Sequence, residues 1–354
     1  MEGVDAVRTY QKIAALSKKL TLDQQKFVLA TIEGLLGEVS QADPSSAEAT
    51  TMRKEHKSPK PKCVFCSGEK VKKIGTKGGR QRYQCQECKK TFSETTHTIM
   101  ENSHSTRETW ERVIADTVDG FSVDHTADAL GIHHETAFIM RHKVLLGIVK
   151  YLESEPVILE NIAELDETYV LESFKGSKFP EDAPRKPRLH GERAEKRGIS
   201  SEQICICAGV QRNQGSAYAN TVNRARPTDD EIQQVFQGHI SSGSVLFTDG
   251  AKGYRILEEG IECAVESVDA EEQKKRKIAN LNNVNSFHAF IKDRYGKYRG
   301  VATKYLNRYN ALFSSCFRDR KTMIDILCEV LLTPGPIDYS KTGIDVEQHE
   351  LLQI

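Results

Sequence analysis

Ile162-Ala-Glu-Leu-Asp-Glu-Thr-Tyr-Val170 is the stretch whose reading decides the fold. On the two-residue period of a strand, Ile162, Glu164, Asp166, Thr168 and Val170 share one face, with Leu165, Tyr169 and Leu171 on the other. An acid in the middle of a strand otherwise fit for burial costs free energy unless a cation or a donor meets it. Asp166, near the centre, is the best placed for chemistry. An edge strand with one wet face would give the same pattern.

Downstream, Ile204–Val210 and Ser216–Val222 read as an antiparallel pair, and Val245-Leu-Phe as a short buried run. Helical patterns follow at Asp230–Phe236, Ser286–Tyr295 and Ala311–Leu332. Strands first and then alternation with helices predict an α/β domain. Asp249 follows the buried run, at a strand's C-terminal end, where open α/β sheets hold ligands; an ordinary Asp-Gly turn is the other reading. Further on, Asn285, His288 and Lys292 fall within a helical stripe about 60° wide. Amide, imidazole and ammonium groups there would suit a phosphodiester, although Asn283 or Asn285 could equally cap the helix. Between the strands, 173–200 is a Pro-rich, basic excursion, expected to loop over the domain's mouth.

Upstream, Cys63-x-x-Cys66 and Cys85-x-x-Cys88 stand eighteen residues apart. Two such knuckles on facing hairpins bring four soft ligands to one tetrahedral zinc. The other five cysteines show no comparable pairing, which fits buried thiols in a reducing compartment. Ser105–Val149 is helical, and 122–143 has a helix-turn-helix layout. Ala127 is small where the helices approach, Gly131 takes the turn, Ile132 plugs the gap, and the second helix starts near 133–135. His134, Arg141, His142 and Lys143 would offer that helix's polar groups to a DNA groove. Trp110 reads as core.

Of 354 residues, 50 are Lys or Arg and 50 Asp or Glu, so net charge says nothing about partners. Its distribution says more: Met52–Lys90 carries thirteen basic residues against three acids, and Tyr151–Glu172 carries seven acids and no Lys or Arg. A polyanion holder followed by a cation holder is the implied pairing, though solvated charged faces look alike. No apolar run approaches the roughly 20 residues of a membrane span, and Met1-Glu-Gly-Val-Asp5 lacks a signal-peptide pattern. The expected organisation is helices over 1–40, a linker over 41–61, a zinc ribbon over 62–100 and a helix-turn-helix region over 101–150. An α/β catalytic domain over 156–335 and a tail over 336–354 follow.

Zinc ribbon, helix-turn-helix, Glu164-Leu-Asp166-Glu-Thr-Tyr-Val170, Phe247-Thr-Asp249-Gly and Asn283-Val-Asn285-Ser-Phe-His-Ala-Phe-Ile-Lys292 together resemble the bacterial insertion-sequence transposases of the zinc-ribbon DDE type. Tyr298-Arg-Gly-Val-Ala-Thr-Lys-Tyr and Thr136-Ala-Phe-Ile-Met-Arg-His-Lys143 are similar too, so the likeness runs from about Lys62 to Phe317. It implies an RNase H-like catalytic domain that cleaves DNA at element ends and transfers the strand. Asp166 and Asp249 match the first two metal-binding carboxylates. Asn285 stands where most such enzymes have glutamate; a branch with Asn is similar, and the neutral amide weakens metal binding. Lys292 matches a basic residue that contacts DNA phosphate, and His288 is an accessory candidate. The implied cofactors are one structural Zn²⁺ and two catalytic Mg²⁺. The implied partners are double-stranded DNA at element ends and target and further copies of the chain, in a bacterial cytoplasm at the nucleoid, with no membrane. The alternative is a DNA-binding regulator derived from a transposase and lacking catalysis.

Overall fold

The computed structural model describes residues 61–343, apart from 177–178, 180, 182, 184–193, 214, 250–251, 269–279 and 299. Lys62–Ile354 forms one compact unit, distinct from Met1–Pro61. The helices expected over 1–40 and the linker over 41–61 lie outside the described residues but for Pro61.

The first sheet is small: β1 (Val71–Lys77), β2 (Arg80–Cys85) and β3 (Thr91–Ser93), antiparallel in the order β1-β2-β3. Its core is only Cys63, Val64, Cys85 and Phe92, with Tyr83 stacked on Phe92 at 5.5 Å. So few apolar groups do not hold a fold of this size unaided, and such ribbons rely on a metal.

Three helices follow: α1 (Arg107–Asp119), α2 (Val123–Leu130) and α3 (His134–Ser154). Thr106 caps α1 by accepting from the Thr109 amide, and Ser122 caps α2 by accepting from that of His125. Gly131 ends α2 at φ 63°, the left-handed turn expected of it. Trp110 is core, its Nε1 donating to Ser103 Oγ at 3.3 Å.

The second sheet has five strands in the order β6-β5-β4-β7-β8. β4 (Ile162–Leu171) pairs antiparallel with β5 (Gln203–Gln211), which pairs antiparallel with β6 (Ala217–Arg224). On its other side β4 runs parallel to β7 (Val245–Thr248), itself parallel to β8 (Ala264–Ser267). β4 is therefore central, not an edge strand. Helices α4 (Asp229–Phe236) and α5 (Ile256–Ile261) cover one face over a core that includes Leu165, Cys205, Cys207, Phe236 and Tyr254. A capping box at Thr228 and Glu231 starts α4.

Across the sheet lie α6 (Asn282–Lys297) and α7 (Leu306–Cys316), followed by α8 (Arg320–Leu332). The apolar pattern of 311–332 reads as one helix but forms parts of two, because Asp319 accepts the Thr322 amide at 3.0 Å and starts α8 afresh. β6 is an edge whose free amides would invite pairing with another chain. Ser314 Oγ and Asn307 Oδ1 of α7 accept those of Ala219 and Thr221 and close it.

Of the tail expected over 336–354, residues 336–343 are described, and two of them bond to earlier elements. The Tyr339 amide donates to His97 O at 2.8 Å, and Lys150 Nζ donates to Asp338 O. The far end of α6 is bolted to α1: Arg294 donates to Asp119 O, and Tyr298 Oη to Thr117 O at 2.5 Å. Gly120, the α1 cap, sits at φ 87°, and a Cβ there would meet the Arg294 guanidinium. Gly120→Ala is therefore expected to cost about 1–3 kcal/mol of stability, measured by denaturant unfolding with Gly131→Ala as the comparison that meets no neighbour.

Candidate functional site

Two acids on one face of β4 meet opposite fates. Glu164 is wholly buried (0% exposed) and satisfied by protein donors. Arg212 Nε reaches its Oε1 at 2.7 Å, Asn283 Nδ2 the same oxygen at 2.8 Å, and the amides of Asn283 and Val284 reach Oε2 at 2.7 and 3.1 Å. Asp166, two residues on, accepts the Glu167 amide at 2.9 Å. Its other oxygen faces His288 Nδ1 at 3.8 Å. Burial pushes the Asp166 carboxyl up to about 7, the charge of Asp249 adds to this, and Lys292 opposes it. Burial, then Lys292, holds His288 down to about 4, so that imidazole is neutral and does not compensate the carboxylate.

Asp249 joins Asp166 through the strand register. Ile162–Glu164 pair with Val245–Phe247, and extending that parallel register by two residues sets Asp166 level with Asp249. Neighbouring strands lie about 4.8 Å apart, so two carboxyls share the C-terminal end of one strand pair. Asp249 is exposed at the end of β7, and Asp166 is half-buried. Helix α6 packs across β4 and β5 and contributes the third side. Its residue His288 stands at Asp166, Asn285 lies one turn earlier and Lys292 one turn later, both exposed. Glu167 is a fourth acid nearby, its carboxyl raised chiefly by burial.

The donor set fits a hard cation. Carboxylate and carboxamide oxygens are the ligands magnesium takes. Desolvated anions crowded together, with a neutral imidazole as neighbour, are what such an ion relieves.

The separate cysteine centre is equally explicit. The sulfurs of Cys63, Cys66, Cys85 and Cys88 all lie within 4.8 Å of one another, with Cys63–Cys88 and Cys66–Cys85 at 3.6 Å. Four sulfurs about 2.3 Å from one zinc would stand about 3.8 Å apart, so the cluster has the ligands and the spacing for a single ion. The Cys88 amide, helped by that of Glu87, holds the Cys85 thiol down to about 7, toward the thiolate a metal needs.

The polar residues expected to face a groove divide sharply. His134 is exposed, 3.3 Å from Asp124. Arg141 is not: at 2% exposure it lies over the Tyr298 ring and donates to Thr126 Oγ1 at 3.4 Å. His142 is buried against Arg308 at 3.2 Å, and burial, then Arg308, pushes it down to about 3. Lys143 is half-buried, 5.9 Å from the Trp110 ring centre. The reason is that α3 packs against α1, α2, α7 and α8, which leaves 133–136 and Ile139 as its exposed residues near the N-terminus. A helical wheel drawn on α3 alone does not show those neighbours.

Sequence reasoning passed over Glu164, Arg212, Asn283 and Arg318 as a group. The available signal was the second acid on the buried face of β4, which required donors from elsewhere.

The fold and the two clusters define a mixed α/β protein with neighbouring carboxyls at one end of its sheet and four cysteines spaced to hold a metal. Over residues 158–314 the chain matches the family described as ISXO2-like transposase domain. It is 23% identical over 253 residues to an uncharacterised protein in transposable element ISH50 of Halobacterium salinarum, covering 71% of this chain and 83% of that one. Among solved structures it is similar to a chain of the simian T-cell lymphotropic virus intasome in complex with PP2A regulatory subunit B56 gamma (10% identity, TM-score 0.29), over 46% of this chain and 50% of that one. A pre-cleavage Mos1 transpososome gives 9% identity and TM-score 0.27 over 71% and 77%. Likenesses at that level carry no weight for fold or function. No helix among the described residues is long and apolar enough to cross a membrane.

Two outcomes are expected. Cys85→Ser should reduce bound zinc from about one per chain to near none by elemental analysis, with faster proteolysis within 62–93. A carboxyl raised in the folded chain is stabilising while protonated, and that contribution fades as pH rises through its folded value. In protein without added divalent ions, Asp249→Asn should therefore raise Tm by about 1–3 °C near pH 8, where Asp166 is ionised, and hardly at all near pH 5. Equal shifts at both pH values would mean that the two carboxyls do not interact.

Proposed function

We propose that this chain is a transposase whose RNase H-like domain cleaves DNA at insertion-sequence ends and transfers the freed strand. The observation that carries the reading is that the charge of Asp249, just past β7, acts on Asp166 of the neighbouring β4, beside the helix that bears Asn285, His288 and Lys292. The antiparallel β6-β5-β4 unit continued by parallel β7 and β8 supports the RNase H-like assignment. Asp166, Asp249 and Asn285 would hold Mg²⁺, and Lys292 would meet a phosphate of the bound strand. Bound there, the metal would supply Lewis-acid stabilisation of the scissile phosphate and lower the pKa of attacking water. Phe287 and Ile291 bury the opposite side of α6 and so would hold its Asn285, His288 and Lys292 stripe toward the bound strand.

DNA would be held by the basic ribbon, where Lys72, Lys73 and Lys77 are exposed along β1, and by the N-terminal turn of α3 with His134. Joining two ends calls for at least two copies on the DNA. Asn285 favours a second reading, a DNA-binding regulator without cleavage, because it leaves two negative charges where three are usual.

A labelled terminal repeat incubated with Mg²⁺ or Mn²⁺ separates these readings. Asp166→Ala and Asp249→Ala are expected to abolish end cleavage and to leave end binding in place; cleavage undiminished in either would sink the enzymatic reading. A wild-type chain that binds ends and never cuts them would support the regulator. End affinity should also fall steeply between low and physiological salt, with a shallower slope once Lys72 and Lys73 are replaced by Gln.

A further inference from the structure

We propose that Glu164 is a positioning residue for the metal-holding triad, locking the strand and the helix that carry its members into one register. This rests on the cleavage reading above. On the two strands, Glu164 and Phe247 stand two positions before Asp166 and Asp249 and so on the same faces. Asn283 lies in the first turn of α6, the helix that carries Asn285.

Hydrogen bonds join Glu164 to the helix. Glu164 takes both the side chain and the amide of Asn283, together with the amide of Val284. Arg212 donates to Glu164 at 2.7 Å and to Asn280 O at 2.5 Å, and its guanidinium lies 4.4 Å from the Phe247 ring centre. Arg318 donates to Asn283 Oδ1 at 2.6 Å from outside.

Helix α6 has no side-chain cap of its own, since Leu281 occupies the cap position. Its first amides are orphans that need an acceptor, and the positive end of the helix favours an anion. Glu164 supplies that acceptor from the neighbouring strand. A carboxylate at 0% exposure is costly unless all its partners are in place. Sliding α6 by one residue along β4 would take away the three bonds that Glu164 receives from the helix and leave it Arg212 alone. Positions 166 and 285 inherit their spacing from those bonds. An amide in place of the carboxylate keeps the size but turns one acceptor into a donor that faces Arg212 or the helix amides.

The test uses the full-length chain with Glu164→Gln, and Asp166→Ala alongside. End cleavage is measured across a range of Mg²⁺ and Mn²⁺ concentrations, the Tm shift on adding Mn²⁺ is measured without DNA, and end binding is measured in parallel. Groups that hydrogen-bond metal ligands directly typically carry 10–100-fold in affinity or activity; Glu164 acts one step further out, through α6 and β4, so E164Q should lose about tenfold in cleavage at low metal. Its half-maximal metal concentration should rise about tenfold, its Mn²⁺-induced Tm shift should shrink, and excess Mn²⁺ should restore most of the rate. End binding should be unchanged, and Asp166→Ala should not be rescued. If E164Q does not fold, Asn283→Ala, which keeps the Arg212 pair and both helix amides, should show a smaller shift in the same direction. Folded variants with wild-type metal dependence, beside an inactive Asp166→Ala, would overturn the positioning role alone. Full cleavage by Asp166→Ala would overturn the underlying reading as well.

Discussion

Burying carboxylates on the central strand β4 is the constraint around which the five-stranded α/β half is organised. A buried anion must be met by donors or by a cation, and β4 carries one acid of each kind two residues apart. Glu164 is met entirely from within the chain: Arg212 from the end of β5 and the first turn of α6. Asp166 receives one amide and a neutral imidazole, so burial and Asp249 leave it pushed toward its protonated form. The same cost thus docks a helix at one position and leaves an unpaired demand for positive charge at the other.

Helix α6 transmits that arrangement along its length. Its first turn is tied to β4, its middle presents His288 to Asp166, and its last turn is bolted through Arg294 and Tyr298 to the end of α1. The paired-carboxylate site and the helices after the ribbon are thereby linked through one rigid element, with Gly120 admitting the guanidinium that closes the joint. The small first sheet is built differently: its core is four buried residues, two of them cysteines of the four-sulfur cluster, so soft sulfur donors and hard oxygen donors are kept in separate parts of the chain.

Local chemistry made much of this legible in advance. The doubled Cys-x-x-Cys spacing, the alternation over 162–170, the left-handed turn at Gly131 and the carboxylate after Val245-Leu-Phe all depend on neighbours within a few residues. Each element formed where its pattern lay. Less legible were the short β8 and α5, whose four and six residues give too little periodicity. The break at Asp319 was also missed, because apolar spacing continues on both sides of it.

The amino-acid sequence by itself determined which residue types are available to each centre, because ligand spacing and strand alternation are local properties. Tertiary structure alone decided which of them face outward and which acid is satisfied. Arg141 and His142 look like groove-facing polar groups on an isolated helix, yet α7 and the Tyr298 ring enclose them. Glu164 shares a strand face with Asp166, yet donors 48, 119 and 120 residues away take both of its oxygens. Contacts across such separations follow from strand order and helix docking, and no short window of sequence contains them.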